Sequence, residues 1–310
     1  MEEVTVKHER NPESGRGLLR LTRRLGGALL PLALLAAACG GAGSAGTAGQ
    51  AVPGSGAKAA GQAATVLKVG ATAVPHGEIL QQVVKPLLAK QGIRLQVVEF
   101  SDYTQINPAL KDGSLDANYF QHLPYLDDWN SHNGGGLVAI AKVHIEPMGL
   151  YSNRITSLGG LKDGATVAIP NDTTNGGRAL LLLQSAGLIR LRPGAGSSAT
   201  VADVVQNPRH LQIRELAAEI LPRALDDVDL AAINTNYVLE ARKAGLLKHP
   251  GALYLERADS PFANVLVVRK DDVGKPAVEA LARALVGPEV RAFIESHYRG
   301  AVVPAQQLLH

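Results

Sequence analysis

Cysteine is almost absent from this sequence, which holds a single one, Cys39, among 310 residues. One cysteine can form neither an internal disulfide nor a cysteine-rich metal site. The histidines His122, His132 and His144 show none of the compact spacings that metal-ligating residues adopt. We therefore predict no metal site and no cofactor.

An excess of one charge and a hydrolase motif are also missing. Lysine and arginine number 31 against 28 acidic residues, and six of the 31 lie within residues 1–38. The rest of the chain is almost neutral and has no basic run, so nothing indicates nucleic-acid binding. No Gly-x-Ser-x-Gly elbow occurs, and no nucleophile is paired with a base. We predict no catalytic residue and no enzyme activity.

Long apolar runs are absent apart from one short segment, residues 25–38, which follows Arg20, Arg23 and Arg24. As a helix this segment would rise about 21 Å, less than the ~30 Å of a bilayer core. A membrane anchor or a buried helix is the alternative interpretation. A basic flank, a short apolar run and small residues at its end are typical of an export signal. We predict that residues 1–38 are a signal peptide.

The cysteine stands directly after this segment. Ala36-Ala37-Ala38-Cys39 resembles a bacterial lipobox, in which the cysteine is lipidated after cleavage, although leucine is more usual at the position of Ala36. Ordinary secretion with cleavage nearby is the alternative. Residues 39–65 are mostly Gly, Ala, Ser and Thr and should form a flexible linker. We predict a lipid anchor on Cys39 at the extracytoplasmic face of the cell membrane, in a periplasm or at the cell surface.

From Val66 onward, predicted strands alternate with predicted helices. Residues 66–71 and 166–169 are strand-like, and helical patterns begin at Gly77 and Gly177. Asn107-Pro108 has the form of an N-cap followed by a first-turn proline. The alternation predicts an α/β fold with mostly parallel sheets flanked by helices. Ligands of such folds bind at the carboxyl ends of the strands.

Aromatic residues are scarce and clustered. The chain has one Trp, four Phe and seven Tyr, and four of these twelve lie between residues 103 and 125. In an aromatic-poor protein this clustering indicates a pocket wall, which would suit a polarisable group such as a thioether. Aromatic residues packed into the core are the alternative interpretation.

Polar side chains follow several predicted strands. Residues 171–178 join a strand to a helix, and a helix N-terminus beside Arg178 suits a carboxylate or a small phosphate. A turn with a surface arginine explains this segment equally well. Asn234 and Asn264 lie at the edges of two further strands. Amides both donate and accept hydrogen bonds, as an amino-acid zwitterion requires, although capping and turns are the alternative.

Taken together, these segments resemble the methionine-binding lipoprotein family (NlpA-type), the substrate-capture component of methionine ABC importers. The resemblance extends from about Val66 to Pro304, and each segment alone is weak evidence. Seven segments in the same order behind a lipobox are specific. They are residues 75–80, 116–126, 146–152, 170–178, 233–237, 261–264 and 300–302.

The resemblance implies a two-lobed periplasmic-binding-protein fold of type II-like form. Lobe 1 would hold residues 66–145 and 260–310, and lobe 2 would hold residues 146–259. Pro147 and Pro261 lie close to the two implied crossovers.

The same resemblance implies a set of ligand-binding residues. Four would surround the ligand side chain: Tyr103, Phe120, His122 and Tyr125. Arg178 would clamp the carboxylate, and Asn234 and Asn264 would bind the amino and carboxylate groups. Phe262, beside Asn264, stands where the family often has tyrosine.

The function implied is capture of methionine, in its L form or also its D form, in a cleft between the lobes. A monomer would deliver the ligand to the permease and ATPase of an ABC importer. The alternatives are another small amino acid, a methionine-containing dipeptide, an exported hydrolase, or a surface interaction protein with a ligand-free fold.

Overall fold

The computed structural model describes residues 65–257 and 259–309. The predicted signal peptide, Cys39 and the predicted linker up to residue 64 lie outside the described residues. In the part of the chain that the structure describes, no helix is both long enough and apolar enough to cross a membrane.

The described chain contains strands and helices in alternation. The strands are β1 (Thr65–Thr72), β2 (Ile93–Phe100), β3 (Ala117–His122), β4 (Leu137–Ile145), β5 (Gly149–Tyr151), β6 (Thr166–Pro170), β7 (Arg190–Leu191), β8 (Val204–Gln206), β9 (Gln212–Leu216), β10 (Leu230–Ile233), β11 (Tyr254–Leu255), β12 (Ala263–Arg269) and β13 (Val303–Leu308). The α-helices are α1 (Lys85–Ala89), α2 (Ile106–Lys111), α3 (Leu123–His132), α4 (Thr173–Ser185), α5 (Leu221–Ala224), α6 (Thr235–Lys243), α7 (Pro276–Leu285) and α8 (Pro288–Tyr298).

Two large sheets organise these elements. The first has the order β13-β4-β12-β3-β1-β2, and the second has the order β11-β5-β10-β6-β9. A small antiparallel pair, β7 and β8, completes the strands. The first sheet takes its strands from residues 65–145 and 263–308, and the second from residues 149–255. The predicted α/β class, with sheets flanked by helices, is confirmed.

The prediction that the sheets are mostly parallel is wrong, because both are mixed. In the first sheet β1 pairs in parallel with β2 and β3, whereas β12 pairs antiparallel with β3 and β4, and β13 pairs antiparallel with β4. Strand β4 carries the chain out of this sheet and β12 brings it back from the second sheet. If one strand ends where the chain leaves the sheet and its neighbour begins where the chain returns to the same side, the two strands run in opposite directions. The second sheet is mixed too, since β5 pairs antiparallel with β10 and β11.

Three apolar clusters hold the sheets and helices together. One packs β1 and the first helices against α7 and α8, and another packs β6 and β10 against α4. The remaining cluster contains residues of both sheets, including Phe120 and Val265 from the first and Ile233 from the second. Burial of these shared residues joins the two halves at the ends of β3 and β10.

The helical pattern predicted from Gly77 is only partly regular. The chain forms π-type turns at Ala73–Gly77 and Leu80–Val84 before α1 begins at Lys85. Pro86 has no N–H to donate to a preceding turn, so regular α-helix can start beside it but cannot run through it.

Asn107 does not cap a helix, contrary to the prediction, because α2 already begins at Ile106. Its side chain is completely buried and donates to Gln121 Oε1 at 2.9 Å. It also accepts from Asn118 Nδ2 at 2.8 Å and from Gln121 Nε2 at 2.7 Å. A buried amide needs such partners, and this network fixes β3, the strand that carries Phe120 and His122, against α2.

Helix α4 begins four residues earlier than predicted, at Thr173. Asp172 is its N-cap, and its Oδ1 accepts from the backbone N–H of Asn175 at 2.9 Å. A carboxylate of the chain therefore caps the helix N-terminus that the sequence indicated as suited to an anion. The earlier start places Arg178 in the second turn of the helix.

Two glycines in the first turns of α4 lie against backbone. A Cβ on Gly177 would come within 2.1 Å of the carbonyl oxygen of Ser197. Only glycine therefore allows the helix to approach the loop that contains Ser197 this closely.

We expect Gly177→Ala to lower the free energy of unfolding by about 1–3 kcal/mol, because the added methyl group overlaps backbone. Helix propensity alone predicts the opposite sign, a gain of about 1 kcal/mol. Urea denaturation followed by circular dichroism measures the difference. Gly196→Ala is the control, since a Cβ there meets no atom within 4 Å. A more stable Gly177→Ala variant would contradict the close packing.

Candidate ligand-binding site

All seven residues predicted to bind ligand line one cavity. The space between the lining atoms, including the part open to solvent, is about 350 Å³. The predicted lining residues are Tyr103, Phe120, His122, Tyr125, Arg178, Asn234 and Asn264. Five others line it that the sequence analysis did not single out: Gln121, Glu146, Asn175, Thr235 and Asn236.

Aromatic rings from three different elements form one wall. Tyr103 follows β2, Phe120 lies on β3 and Tyr125 lies on α3, and their ring centroids are 5.9–6.0 Å apart. The Tyr103 hydroxyl donates to Asn236 Oδ1 at 2.6 Å. Its polar end is thus satisfied, and the rings present apolar edges and faces to the cavity. These aromatic residues are both packed into the core and part of a pocket wall.

His122 enters the cavity as a neutral imidazole. It is the N-cap of α3, and its Nδ1 accepts from the backbone N–H of Tyr125 at 3.2 Å. The proton therefore sits on Nε2, which donates to Asn175 Oδ1 at 3.0 Å. Burial, with the charge of Arg178 nearby, lowers the pKa of His122 to about 3.

Asn175 connects the two sheets through this hydrogen bond. The same Oδ1 accepts from Asn234 Nδ2 at 2.8 Å, so one amide oxygen joins β3 of the first sheet to the residue after β10 of the second. Its Nδ2 donates to both carboxylate oxygens of Asp172 at 3.1 Å. The sequence places Asn175 three residues after an N-cap, and this spacing was the available signal for its position.

Arg178 is buried and firmly held. It is 3% exposed, and its Nε and Nη2 donate to the carboxylate of Glu256 at 3.0 and 2.5 Å. Nη2 also donates to the backbone carbonyl of Glu146 at 2.7 Å, and the guanidinium lies 4.3 Å from the ring centroid of Phe262. Among the described residues none accepts a hydrogen bond from Nη1, so this nitrogen keeps its donors free.

Two buried amide atoms of the cavity lack a partner among the described residues. Within residues 65–257 and 259–309, nothing donates to Asn234 Oδ1 and nothing accepts from Asn236 Nδ2, although these residues are 7% and 2% exposed. Asn264 uses its Oδ1 for His76 Nε2 at 3.1 Å. Buried polar groups are almost always paired in folded proteins, so unpaired ones that line a cavity indicate the position of a polar ligand.

The family model described as NlpA lipoprotein matches residues 67–306. The chain belongs to the NlpA lipoprotein family. This membership confirms the resemblance seen in the sequence and the two-lobed α/β class. It also confirms a substrate-binding protein rather than an enzyme.

Individual NlpA relatives cover nearly the whole described chain. The chain is 41% identical over 242 residues to membrane lipoprotein TpN32 of Treponema pallidum, covering 76% of this chain and 87% of that protein. It is 41% identical over 239 residues to the D-methionine-binding lipoprotein MetQ of Escherichia coli strain K12, with the same coverage. A solved nutrient-binding protein from Burkholderia cenocepacia, bound to methionine, is 45% identical with a TM-score of 0.73, covering 77% of this chain and 99% of that one.

Acid should destabilise the protein through His122. The imidazole is protonated near pH 6.5 in the unfolded chain but only at about pH 3 when folded. The unfolded state therefore binds more protons between these values, and stability falls as the pH falls. We expect wild type to lose about 1–2 kcal/mol more unfolding free energy than His122→Gln between pH 7 and pH 5. Urea denaturation at both pH values measures this difference, and equal losses would contradict a buried neutral imidazole.

Proposed function

We propose that this NlpA protein is an extracytoplasmic solute-binding lipoprotein that captures methionine in its cavity and delivers it to an ABC importer. The observation that carries the proposal is the composition of one buried cavity. It combines an aromatic wall with unpaired amide atoms and an unused guanidinium nitrogen. An α-amino acid with an apolar, polarisable side chain complements both parts.

The aromatic wall accounts for the side chain of the ligand. We propose that Tyr103, Phe120, His122 and Tyr125 surround the thioether. A sulfur atom gains roughly 0.3–1.5 kcal/mol against a ring edge, and burial of a methionine-sized chain adds about 1.5–3 kcal/mol. The edge-to-face contact of Phe120 with Tyr125, at an interplanar angle of 79°, holds these rings in place before the ligand arrives.

The unpaired polar atoms account for the zwitterion. A buried charged group without partners would cost several kcal/mol. We propose that Asn234 Oδ1 accepts from the ammonium group, and that Arg178 and Asn264 donate to the carboxylate. Asn236 Nδ2 is a further donor. The sequence offers no signal that separates this residue from its neighbours in the segment 233–237.

The relatives support methionine as the ligand. The Escherichia coli relative is named for D-methionine, and the Burkholderia cenocepacia relative was solved with methionine. We propose L-methionine, with D-methionine as a second ligand. A different small amino acid or a methionine-containing dipeptide is the competing assignment, since membership of the family does not by itself fix the ligand.

We propose the lobe boundaries 66–145 with 260–310, and 146–259. In support, every strand of the first sheet comes from one side of these boundaries and every strand of the second from the other. Hydrogen bonds between His122 and Asn175 and between Tyr103 and Asn236 then cross from lobe to lobe. Because both lobes line the cavity, their approach would enclose the ligand. The closed monomer would then dock on the permease, and the ATPase of the importer would drive import.

We also propose that residues 1–38 are removed and that Cys39 carries the lipid. The support is the lipobox-like sequence and membership of a lipoprotein family. The linker of residues 39–65 would let the folded body stand away from the extracytoplasmic face of the membrane.

A ligand screen tests the function directly. The mature chain with Cys39→Ser is unfolded and refolded to remove co-purified ligand, then melted with each of the twenty amino acids, D-methionine, methionine sulfoxide and Gly-Met. Ligand at 100 times its Kd adds about 2.7 kcal/mol, which is several degrees of Tm. We expect a selective rise with L-methionine. A rise with another ligand would overturn the specificity, and no rise with any would overturn the function.

The role of Arg178 is tested by Arg178→Ala. We expect methionine binding to weaken by roughly 1.5–3 kcal/mol or more, the scale of a hydrogen bond to a charged group, measured by calorimetry. Arg154→Ala is the control, because Arg154 is half-exposed and pairs with Asp229 outside the cavity.

The single variant also strands the carboxylate of Glu256 without its partner. Arg178→Ala combined with Glu256→Gln removes that charge, and we expect the same loss of affinity. Unchanged affinity in both variants would refute the assignment of Arg178.

A further inference from the structure

One acid lines the cavity. Glu146 follows β4, is 5% exposed, and is the only Asp or Glu among the described lining residues. Burial raises the pKa of its carboxyl, so a negative charge held here needs a counter-charge nearby. The nearest candidate, Arg178, already shares its charge with Glu256.

Two imidazole rings lie next to this carboxylate. His144 Nε2 lies 2.7 Å and His76 Nε2 lies 3.3 Å from the same oxygen, Oε1. At their other nitrogens His144 Nδ1 contacts the Tyr119 hydroxyl and His76 Nδ1 lies 2.7 Å from Thr72 Oγ1. Both rings are thus anchored at each end and cannot turn away from Glu146.

Neither imidazole neutralises the carboxylate. Burial lowers the pKa of His76 to about 4 and that of His144 to about 3, so both are uncharged near neutral pH. A neutral imidazole whose Nδ1 accepts from a hydroxyl carries its proton on Nε2. His144 Nε2–H therefore orients the carboxylate by a hydrogen bond, whereas His76 Nε2–H donates to Asn264 Oδ1. A negative charge on Glu146 is left for another group to balance.

The same three side chains place their ligand atoms within 4.8 Å of one another, close enough to suggest a metal ion. The separation of 2.7 Å between His144 Nε2 and Glu146 Oε1 is that of a hydrogen bond. Two ligands at ~2.0–2.1 Å from one tetrahedral zinc would lie about 3.3 Å apart. The geometry favours a hydrogen-bonded carboxylate over a metal centre.

Glu146 lies beside the unpaired acceptor of the cavity. Thr235 Oγ1 donates to the carbonyl of Pro147 at 2.6 Å, which holds residues 146–147 against the start of α6. The backbone amide of Asn236 contributes to lowering the pKa of Glu146, so the carboxylate reaches the same turn. Asn234, with its unpaired Oδ1, is the N-cap of that helix.

We infer that Glu146 is the counter-ion of the ligand's ammonium group, and that His144 is the positioning residue that aims its carboxylate. An ammonium group has three N–H donors and no acceptor, so it satisfies the charged acceptor of Glu146 and the neutral acceptor of Asn234 together. This inference rests on the proposed function, because it takes the ligand to be an amino acid. It adds a charge-selective contact for the free α-amino group.

The test is a thermodynamic cycle in which one side chain of the protein and one group of the ligand are changed, separately and together. Wild type and Glu146→Gln are titrated by calorimetry with L-methionine and with 2-hydroxy-4-(methylthio)butanoate, which replaces the ammonium by an uncharged hydroxyl of similar size. We expect Glu146→Gln to weaken L-methionine binding about 10–100-fold, as for loss of a charged hydrogen bond. Affinity for the hydroxy acid should change by less than about twofold, because the group that Glu146 contacts is missing.

The matched control is Glu240→Gln on α6, a half-buried carboxylate outside the cavity that feels the charge of Glu146. We expect it to leave both affinities unchanged. An equal loss for both ligands would show that Glu146 acts only structurally and would overturn the inference, as would no loss for either. If Glu146→Gln does not fold, the wild type still provides a test, because equal affinity for the two ligands overturns the inference.

Failure of the proposed function gives a different result. Wild type would then bind no methionine while binding another amino acid, and the same cycle is run with that amino acid and its hydroxy acid. Binding of no amino acid at all would overturn both proposals.

Discussion

The geometry of the cavity depends on the two hydrogen bonds that the side-chain oxygen of Asn175 accepts. This oxygen accepts from His122 at the end of β3 and from Asn234 at the end of β10, so it ties the two sheets together where their strands end. Asp172 fixes the orientation of this amide by accepting from its nitrogen. Because His122 in turn caps α3, the position of Tyr125 in the aromatic wall follows from the same chain of hydrogen bonds. Loss of one amide would loosen both sides of the site.

The charged side chains of the cavity differ from its hydrogen-bonded amides in how completely their partners satisfy them. Arg178 and Glu146 are both buried, and each is held by partners that orient it without exhausting its hydrogen-bonding capacity. Such groups lower the stability of the ligand-free protein, since buried polar atoms without partners are unfavourable. Folded proteins tolerate this at functional sites, where the ligand supplies the missing partner. The unpaired atoms of Asn234 and Asn236 are of this kind.

The sequence predicted the parts of this structure that depend on local pattern. Strand and helix alternation indicated the α/β class, and the seven residues predicted from the resemblance all line one cavity. Contacts between distant residues had no local signal. Arg178 and Glu256 are 78 positions apart, and His76, His144 and Glu146 meet only because β4 and the segment after β1 lie in the same half of the fold. At Asn107 a local signal was present but misleading. The sequence pattern predicts a helix cap, whereas the side chain pairs with buried amides instead.

The two parts of the cavity should select ligands with different stringency. An apolar wall distinguishes side chains that differ by one methylene by only about 1–3 kcal/mol, whereas buried polar groups reject a ligand that leaves them unpaired far more strongly. In the proposed binding mode, Tyr103, Phe120 and Tyr125 would therefore favour thioethers without excluding other apolar chains of similar length. Asn234, Asn236 and Arg178 each lose a partner if the ligand lacks its α-amino or carboxylate group. The proposed recognition is thus strict for the amino-acid backbone and graded for the side chain.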